Sequence, residues 1–156
     1  MVTITGIDEA DRDAWERLFR GYLRFYRQDP GQDVFERLWG ELLSGARVHA
    51  LGARLEERLV GITHFFAHPN TWGPDVCYLE DLFTDPAARG RGVGRSLIDG
   101  VVAWAREQGC GAVYWQTHQA NSTARRLYDD VATFEGFIVY RIPLHGIGTT
   151  GAAQIL

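Results

Sequence analysis

The sequence is short of the features that mark several classes of protein. It has only two cysteines, Cys77 and Cys110, too few for a disulfide framework, and no metal-ligand spacing surrounds them. Basic residues are outnumbered, 16 against 20 acidic ones, for a formal charge of -4. Nucleic-acid binding is largely a Lys/Arg effect, so nucleic acid is disfavoured as the main partner, and a cationic small molecule suits the charge better. The first residues, MVTITGIDEADRD, hold neither a basic patch nor an apolar core, so no secretory leader is read there. No apolar run approaches a membrane span. A soluble cytoplasmic protein without metal is the expectation. What the sequence does have is bulk: 156 residues, 46% of them hydrophobic, enough for one globular domain with its own core.

Periodicity divides the chain. Val2 to Ile7 alternates and reads as a short strand. Trp15, Leu18, Phe19, Tyr22, Phe25 and Tyr26 recur at helical spacing, which predicts a helix from about Glu9 to Arg27, opened by Asp8 and broken at Asp29-Pro30-Gly31. A second helix runs from about Asp33 to Leu43 and stops at Gly45. Arg47–Leu55 and Leu59–Phe66 read as a hairpin, and Val76–Thr84 as a third long strand. A strong helix carrying Leu97, Ile98, Val101, Val102 and Ala105 follows and closes at Gly109-Cys110-Gly111. Ala112–Thr117 reads as a buried strand, Asn121 as the cap of a helix to about Asp130, and Phe137–Ile142 as a last strand. The order β-α-α-β-β-β-α-β-α-β predicts an α/β (α+β) fold with helices on the faces of a mixed sheet over residues 1–144, followed by a mobile tail from 145 to 156.

The most informative stretch joins the third long strand to the strong helix. Arg89-Gly90-Arg91-Gly92-Val93-Gly94-Arg95 places three alternating glycines and three arginines at a helix start. Bare backbone N–H groups there, together with the helix dipole, favour an anion such as a diphosphate. A P-loop is excluded because the position five before Gly94 is Arg89 and no lysine follows Gly94. A dinucleotide fingerprint fails because Arg95 stands where its third glycine belongs. The pattern Arg/Gln-x-x-Gly-x-Gly/Ala fits Arg89, Gly92 and Gly94 without a gap.

That pattern resembles the signature of the GNAT acyltransferase superfamily, and the resemblance runs over about residues 2–144. Tyr78-Leu79-Glu80-Asp81-Leu82-Phe83 and Asn121-Ser122-Thr123-Ala124-Arg125-Arg126-Leu127-Tyr128 are similar to the subgroup of diamine (spermidine/spermine) and histone-acetyltransferase-like proteins. The resemblance implies a mostly antiparallel mixed sheet and a homodimer with Phe137–Ile142 near its interface. It implies acetyl-CoA as co-substrate, its diphosphate on the N–H groups from Gly90 to Arg95 and its pantetheine along the backbone of Leu82, Phe83 and Thr84, like an added strand. Asn121, Ser122 and Ala124 complete the implied coenzyme contacts, and the Leu82 N–H would hold the developing oxyanion.

Two proton transfers then need owners. An alkylammonium is almost fully protonated at neutral pH and cannot attack, and the thiolate of the departing coenzyme needs a donor. In a regular strand Glu80 and Asp81 point to opposite faces, so one carboxylate can serve the acceptor while the other serves structure. The resemblance favours Glu80 as the base. Tyr128 lies seven residues beyond Asn121, two helical turns along one face, and is the implied acid. Cys77 as a covalent nucleophile has no histidine in an obvious pairing context. Tyr22, Tyr26, Trp115 and His118 are candidates to line the acceptor pocket, the aromatics as a cage for an ammonium group. Tyr22 is followed by Leu23 and Arg24, where diamine acetyltransferases carry an acidic residue. A lysine side chain, an amino acid or another small amine is therefore the expected acceptor, with N-acetyl transfer by direct attack in a ternary complex. The alternative is a non-catalytic CoA-binding regulatory module of the same fold, which would need only the glycine-rich turn.

Overall fold

The computed structural model describes residues 1–144. The tail expected at 145–156 lies outside the described residues. Five strands form one sheet in sequence order: β1 (Thr3–Gly6), β2 (His49–Leu55), β3 (Arg58–His68), β4 (Val76–Thr84) and β5 (Ala112–Tyr114). The first three junctions are antiparallel, and β5 joins β4 in parallel. Helices α1 (Arg12–Phe25) and α2 (Gln32–Ser44) cover one face, and α3 (Val93–Glu107) the other. A short helix α4 (Ser122–Val131) follows β5. No helix among the described residues is long and apolar enough to cross a membrane.

The helical spacing read in α1 is the packing observed over Trp15, Leu18, Phe19 and Tyr22, whereas Phe25 at the helix end is exposed, with 59% accessibility. Trp15, Leu18 and Phe19 are buried against Phe35, Trp39 and Leu42 of α2 and Leu59 and Ile62 of the sheet. On the opposite face Leu97, Ile98, Val101 and Ala105 of α3 meet Ala53, Val60, Phe65, Cys77 and Leu79. Burying a large apolar side chain contributes about 1.5–3 kcal/mol, so these two layers hold the sheet between them. Asp8 caps the chain entering α1: its side chain accepts from the Ala10 N–H, while Asp11 returns a bond to the Asp8 N–H. Gly45, in the left-handed region, ends α2 as its position in the sequence predicts.

Four details differ from the sequence-based expectation. The strand β5 is three residues long and only partly covered, not a buried strand to Thr117. Asn121 does not cap α4 with its side chain, which donates instead to the Thr117 hydroxyl at 3.2 Å. Phe137–Ile142 forms no strand among the described residues: it is exposed, with Phe137 at 81% and Tyr140 at 88% accessibility. A strand exists only by pairing, and this segment meets no partner within its own described chain. Finally, the alternation of β4 breaks. Phe65 pairs with Leu79 and His64 with Asp81, so Glu80 is an extra residue, a β-bulge. Before it, Cys77 and Leu79 face α3; after it, Leu82 faces α3 while Phe83 packs with the α1–α2 cluster.

Candidate active site

The glycine-rich turn reaches α3 with the conformation its sequence requires. Gly90 and Gly92 have φ of 75° and 79°, a region open to glycine and strained for other residues. A Cβ built on either would meet no protein atom within 4 Å, so the turn is open at both positions. Gly92 accepts the Ser96 N–H bond as α3 begins. The N–H groups of Val93, Gly94 and Arg95 therefore stand in the first turn, where a helix supplies no partner for them. Arg89 and Arg91 are exposed and form no ion pair among the described residues, whereas Arg95 reaches Asp130 of α4 at 3.2 Å. An anionic diphosphate fits this turn by charge, by bare donors and by space.

The bulged strand leads from that turn towards a group of acidic and phenolic side chains. Pairing between β4 and β5 covers only Val76–Tyr78, so from Leu79 onwards β4 has no strand on that side among the described residues. Its backbone there is open to an extended ligand. Phe83 does not present its ring to this edge; the ring is packed on the α1 side, where a Cβ on Gly21 would stand 2.8 Å away. Only the Phe83 backbone is left for a coenzyme, and the missing Gly21 side chain lets α1 lie close to β4. Leu82 is half-buried, and Thr84 stands near Gly94 in the first turn of α3.

This close approach sets Tyr22 and Tyr26 beside the bulge. Their rings are 4.9 Å apart, and Tyr22 lies edge-on to Phe83 at 6.5 Å. Burial, then the Asp81 charge, pushes the Tyr22 hydroxyl well above the usual phenol value; Tyr26 is raised by the same two causes. Glu80 is exposed at the bulge, yet partial desolvation and then the charge of Asp81 raise its carboxyl above the ordinary range. A carboxylate tuned upwards is a better base near neutral pH. Tyr128, on α4, packs edge-on against Trp115 at 5.3 Å. Burial, with Tyr26 nearby, pushes its hydroxyl up to about 12, so it holds its proton at neutral pH.

The structure thus brings Tyr22, Tyr26, Glu80 and Tyr128 towards one place and sorts the other candidates. Trp115 backs Tyr128 and joins the α3-side core. His118 is occupied in the turn before α4, accepting the Ala120 N–H at 3.1 Å. Ser122 and Ala124 lie in the first turn of α4, beside Asn121. Cys77 is fully buried and its thiol is pushed up to about 12 by desolvation, which disfavours a nucleophilic thiolate. One set of residues escapes sequence reading. Buried His64 of β3 takes a hydrogen bond from the Trp15 indole at 2.9 Å and sits 2.8 Å from an Asp81 oxygen. Trp15 and His64 are 49 positions apart and meet only because α1 crosses the sheet.

Residues 12–133 match the family model described as Acetyltransferase (GNAT) family. Among curated proteins, the chain is 30% identical over 152 residues to the D-amino-acid N-acetyltransferase HPA3 of Saccharomyces cerevisiae, covering 90% of this chain and 89% of that one. It is 29% identical over 113 residues to the aminoglycoside N(6')-acetyltransferase type 1 of Stenotrophomonas maltophilia, covering 69% and 70%. Among solved structures, a ribosomal-protein-alanine N-acetyltransferase from Brucella melitensis superposes with a TM-score of 0.78 at 23% identity, over 92% of this chain and 99% of that one. The aminoglycoside N-acetyltransferase AAC(6')-Iy in complex with CoA superposes at 0.80 with 17% identity, over 93% and 96%. The chain belongs to the GNAT acetyltransferase family. It is an acetyl-CoA-dependent acyltransferase, and the mixed, mostly antiparallel sheet flanked by helices is the fold its sequence predicts.

Proposed function

We propose that this enzyme transfers an acetyl group from acetyl-CoA to the primary amine of a small molecule or lysine side chain, by direct attack within a ternary complex. The observation that supports the reading is the open edge of β4, which runs from the bulge at Glu80 to the donor-lined turn at Gly90–Arg95, with Tyr22 near Glu80 and Tyr128 near Tyr26. The diphosphate rests on the N–H groups of the turn with Arg89 and Arg91 beside it, and the pantetheine follows the Leu82–Thr84 backbone. Asn121, Ser122 and Ala124 contribute from the start of α4. Acetyl-CoA supplies the activated acyl group. Glu80 accepts a proton from the acceptor's ammonium, directly or through water, which frees the nitrogen lone pair. As the C–N bond forms and the C–S bond breaks, the Leu82 N–H holds the carbonyl oxygen. Tyr128 delivers its proton to the departing sulfur. A module that only bound the coenzyme would have no use for Glu80 and Tyr128.

The acceptor side carries two phenols and two carboxylates, a lining that suits a cation. An amino acid or a short aliphatic amine fits it, and the yeast D-amino-acid N-acetyltransferase and the thialysine N-epsilon-acetyltransferase of Caenorhabditis elegans, 29% identical over 100 residues, support that class. Release of CoA thiol measured across D- and L-amino acids, thialysine, polyamines, aminoglycosides and lysine peptides tests the reading. Acetylation of one amine class is expected; no thiol release above hydrolysis with any of them would refute it.

The enzyme acts as a homodimer in this proposal. Phe137, Ile138, Val139, Tyr140 and Ile142 are exposed, a contiguous apolar stretch of a kind that marks interfaces. The outer edge of β5 has no strand beside it among the described residues. A second copy offers both a partner for the segment and cover for the edge. Sedimentation of the full chain should give a dimer, and Val139→Pro a monomer; a monomeric wild type would reject this assembly.

A further inference from the structure

We propose that His64 is a positioning residue for the acceptor amine: wedged between Trp15 and Asp81, it holds the Asp81 carboxylate in one orientation beside the acceptor. The inference rests on the amine transfer proposed above.

The geometry assigns every proton in the relay. An indole N–H can only donate. The Trp15 Nε1 bond at 2.9 Å therefore makes His64 Nε2 an acceptor, with no hydrogen of its own. The ring proton must then lie on Nδ1, which donates to Asp81 Oδ2 at 2.8 Å. His64 is held as one neutral tautomer, and Asp81 receives a fixed donor from behind. The Tyr22 hydroxyl lies against the same carboxylate. Of the three linked side chains only Asp81 reaches solvent, at 15% accessibility against 1% for His64.

Two features argue that the relay serves the pocket and not the core. His64 is surrounded by aromatic rings, with Phe19 5.0 Å and Trp15 6.1 Å away, where polar groups are costly to bury and apolar ones pack as well. The chain of bonds also ends at a side chain that cannot accept a proton, so it cannot conduct one out of the site. It can only hold a dipole still. The division of labour follows: Asp81, braced, orients the ammonium, while Glu80, open to solvent at the bulge, takes its proton and passes it to water.

Two substitutions separate the halves of the relay. An asparagine amide at position 64 sits where Nδ1 was and keeps the bond to Asp81. A glutamine amide sits nearer Nε2, keeps Trp15 and loses Asp81. His64→Gln should raise the KM for the amine about ten-fold or more, the loss of one charge-assisted hydrogen bond, with the KM for acetyl-CoA unchanged. His64→Asn should recover most of that loss. Equal amine KM values in wild type and both variants would overturn the proposal. In the wild type, long-range proton–nitrogen NMR should show the His64 ring proton on Nδ1 and Nε2 bare. An Nε2–H tautomer or an imidazolium would refute the relay without any variant having to fold. A wild type with that tautomer but no transfer to any amine would retain the relay's geometry and reject its catalytic purpose along with the proposed function.

Discussion

Gly92 and Gly109 form a natural pair for testing the diphosphate site. Both lie in the left-handed region, at φ of 79° and 75°, and a Cβ added to either meets no protein atom within 4 Å. They bracket the same helix, Gly92 before its first turn and Gly109 beyond its last. Alanine at either position carries the left-handed penalty of about 1–2 kcal/mol, partly offset because alanine also restricts the unfolded chain. Each variant should lose roughly 1 kcal/mol of stability, a few degrees in Tm for a chain of this length. Their effects on the coenzyme should diverge. A methyl at Gly92 enters the open side of the turn and forces the diphosphate off donors whose charge-assisted bonds are each worth about 1.5–3 kcal/mol. Calorimetry should therefore show Kd for CoA rising about ten- to hundred-fold in Gly92→Ala and staying at the wild-type value in Gly109→Ala. Equal CoA affinity in the two variants, whether both unchanged or both weakened, would refute the reasoning: the turn would then be a connector, or its effect would be no more than lost stability.

Two further outcomes follow from the proposed roles of Glu80 and Tyr128. Tyr128→Phe keeps the ring against Trp115 and removes the proton, so kcat should fall at least ten-fold with little change in KM for acetyl-CoA; steady-state kinetics with unaltered kcat would remove Tyr128 from the chemistry. In wild type, kcat/KM for the amine should rise with pH as Glu80 ionises, with its midpoint above the ordinary carboxylate value, and Glu80→Gln should abolish that acidic limb. Stability runs the other way. A carboxyl raised in the fold favours its protonated form, so its contribution is present at acid pH and lost as pH rises through the folded value. Glu80→Gln should thus melt higher than wild type at neutral pH, with the gain vanishing in acid; a variant that gains nothing at neutral pH would contradict the raised value.

The parts of the site legible in the sequence are those whose chemistry is local. Alternating glycines followed by a helical stripe locate the turn, because positive φ and bare N–H groups are demands on consecutive residues. The long strand at Val76–Thr84 is legible from its own residues as well, whereas Tyr128 is singled out only by the family resemblance. Three features are not local. Glu80 and Asp81 read as neighbours on opposite faces, since nothing in two adjacent acids announces a bulge; the inserted register appears only against β3. His64 lies within an apolar run and reads as core, because its partners come from α1 and β4. Phe137–Ile142 has the composition of a strand, but pairing depends on a partner that the described chain does not supply.

The bulge ties these features together. With strict alternation, Cys77, Leu79 and Asp81 would share a face, and Asp81 would enter the apolar layer under α3 without a partner. One extra residue returns Asp81 to the α1 side, opposite His64 and beside Tyr22, and leaves Glu80 out of the ladder and exposed. A bulge also bends and twists its strand. Pairing of β4 with β5 ends at Tyr78, two residues before it, and the unpaired edge begins there. The same irregularity therefore separates two adjacent carboxylates into a braced anion and a solvent-facing base, and opens the backbone along which the acyl donor is proposed to lie. Removing Glu80 altogether would close the ladder with Asp81 still opposite His64, but it would take away the bend that the bulge puts into β4, so a deletion at this position should weaken coenzyme binding along that strand more than the Glu80→Gln exchange, which keeps the bulge.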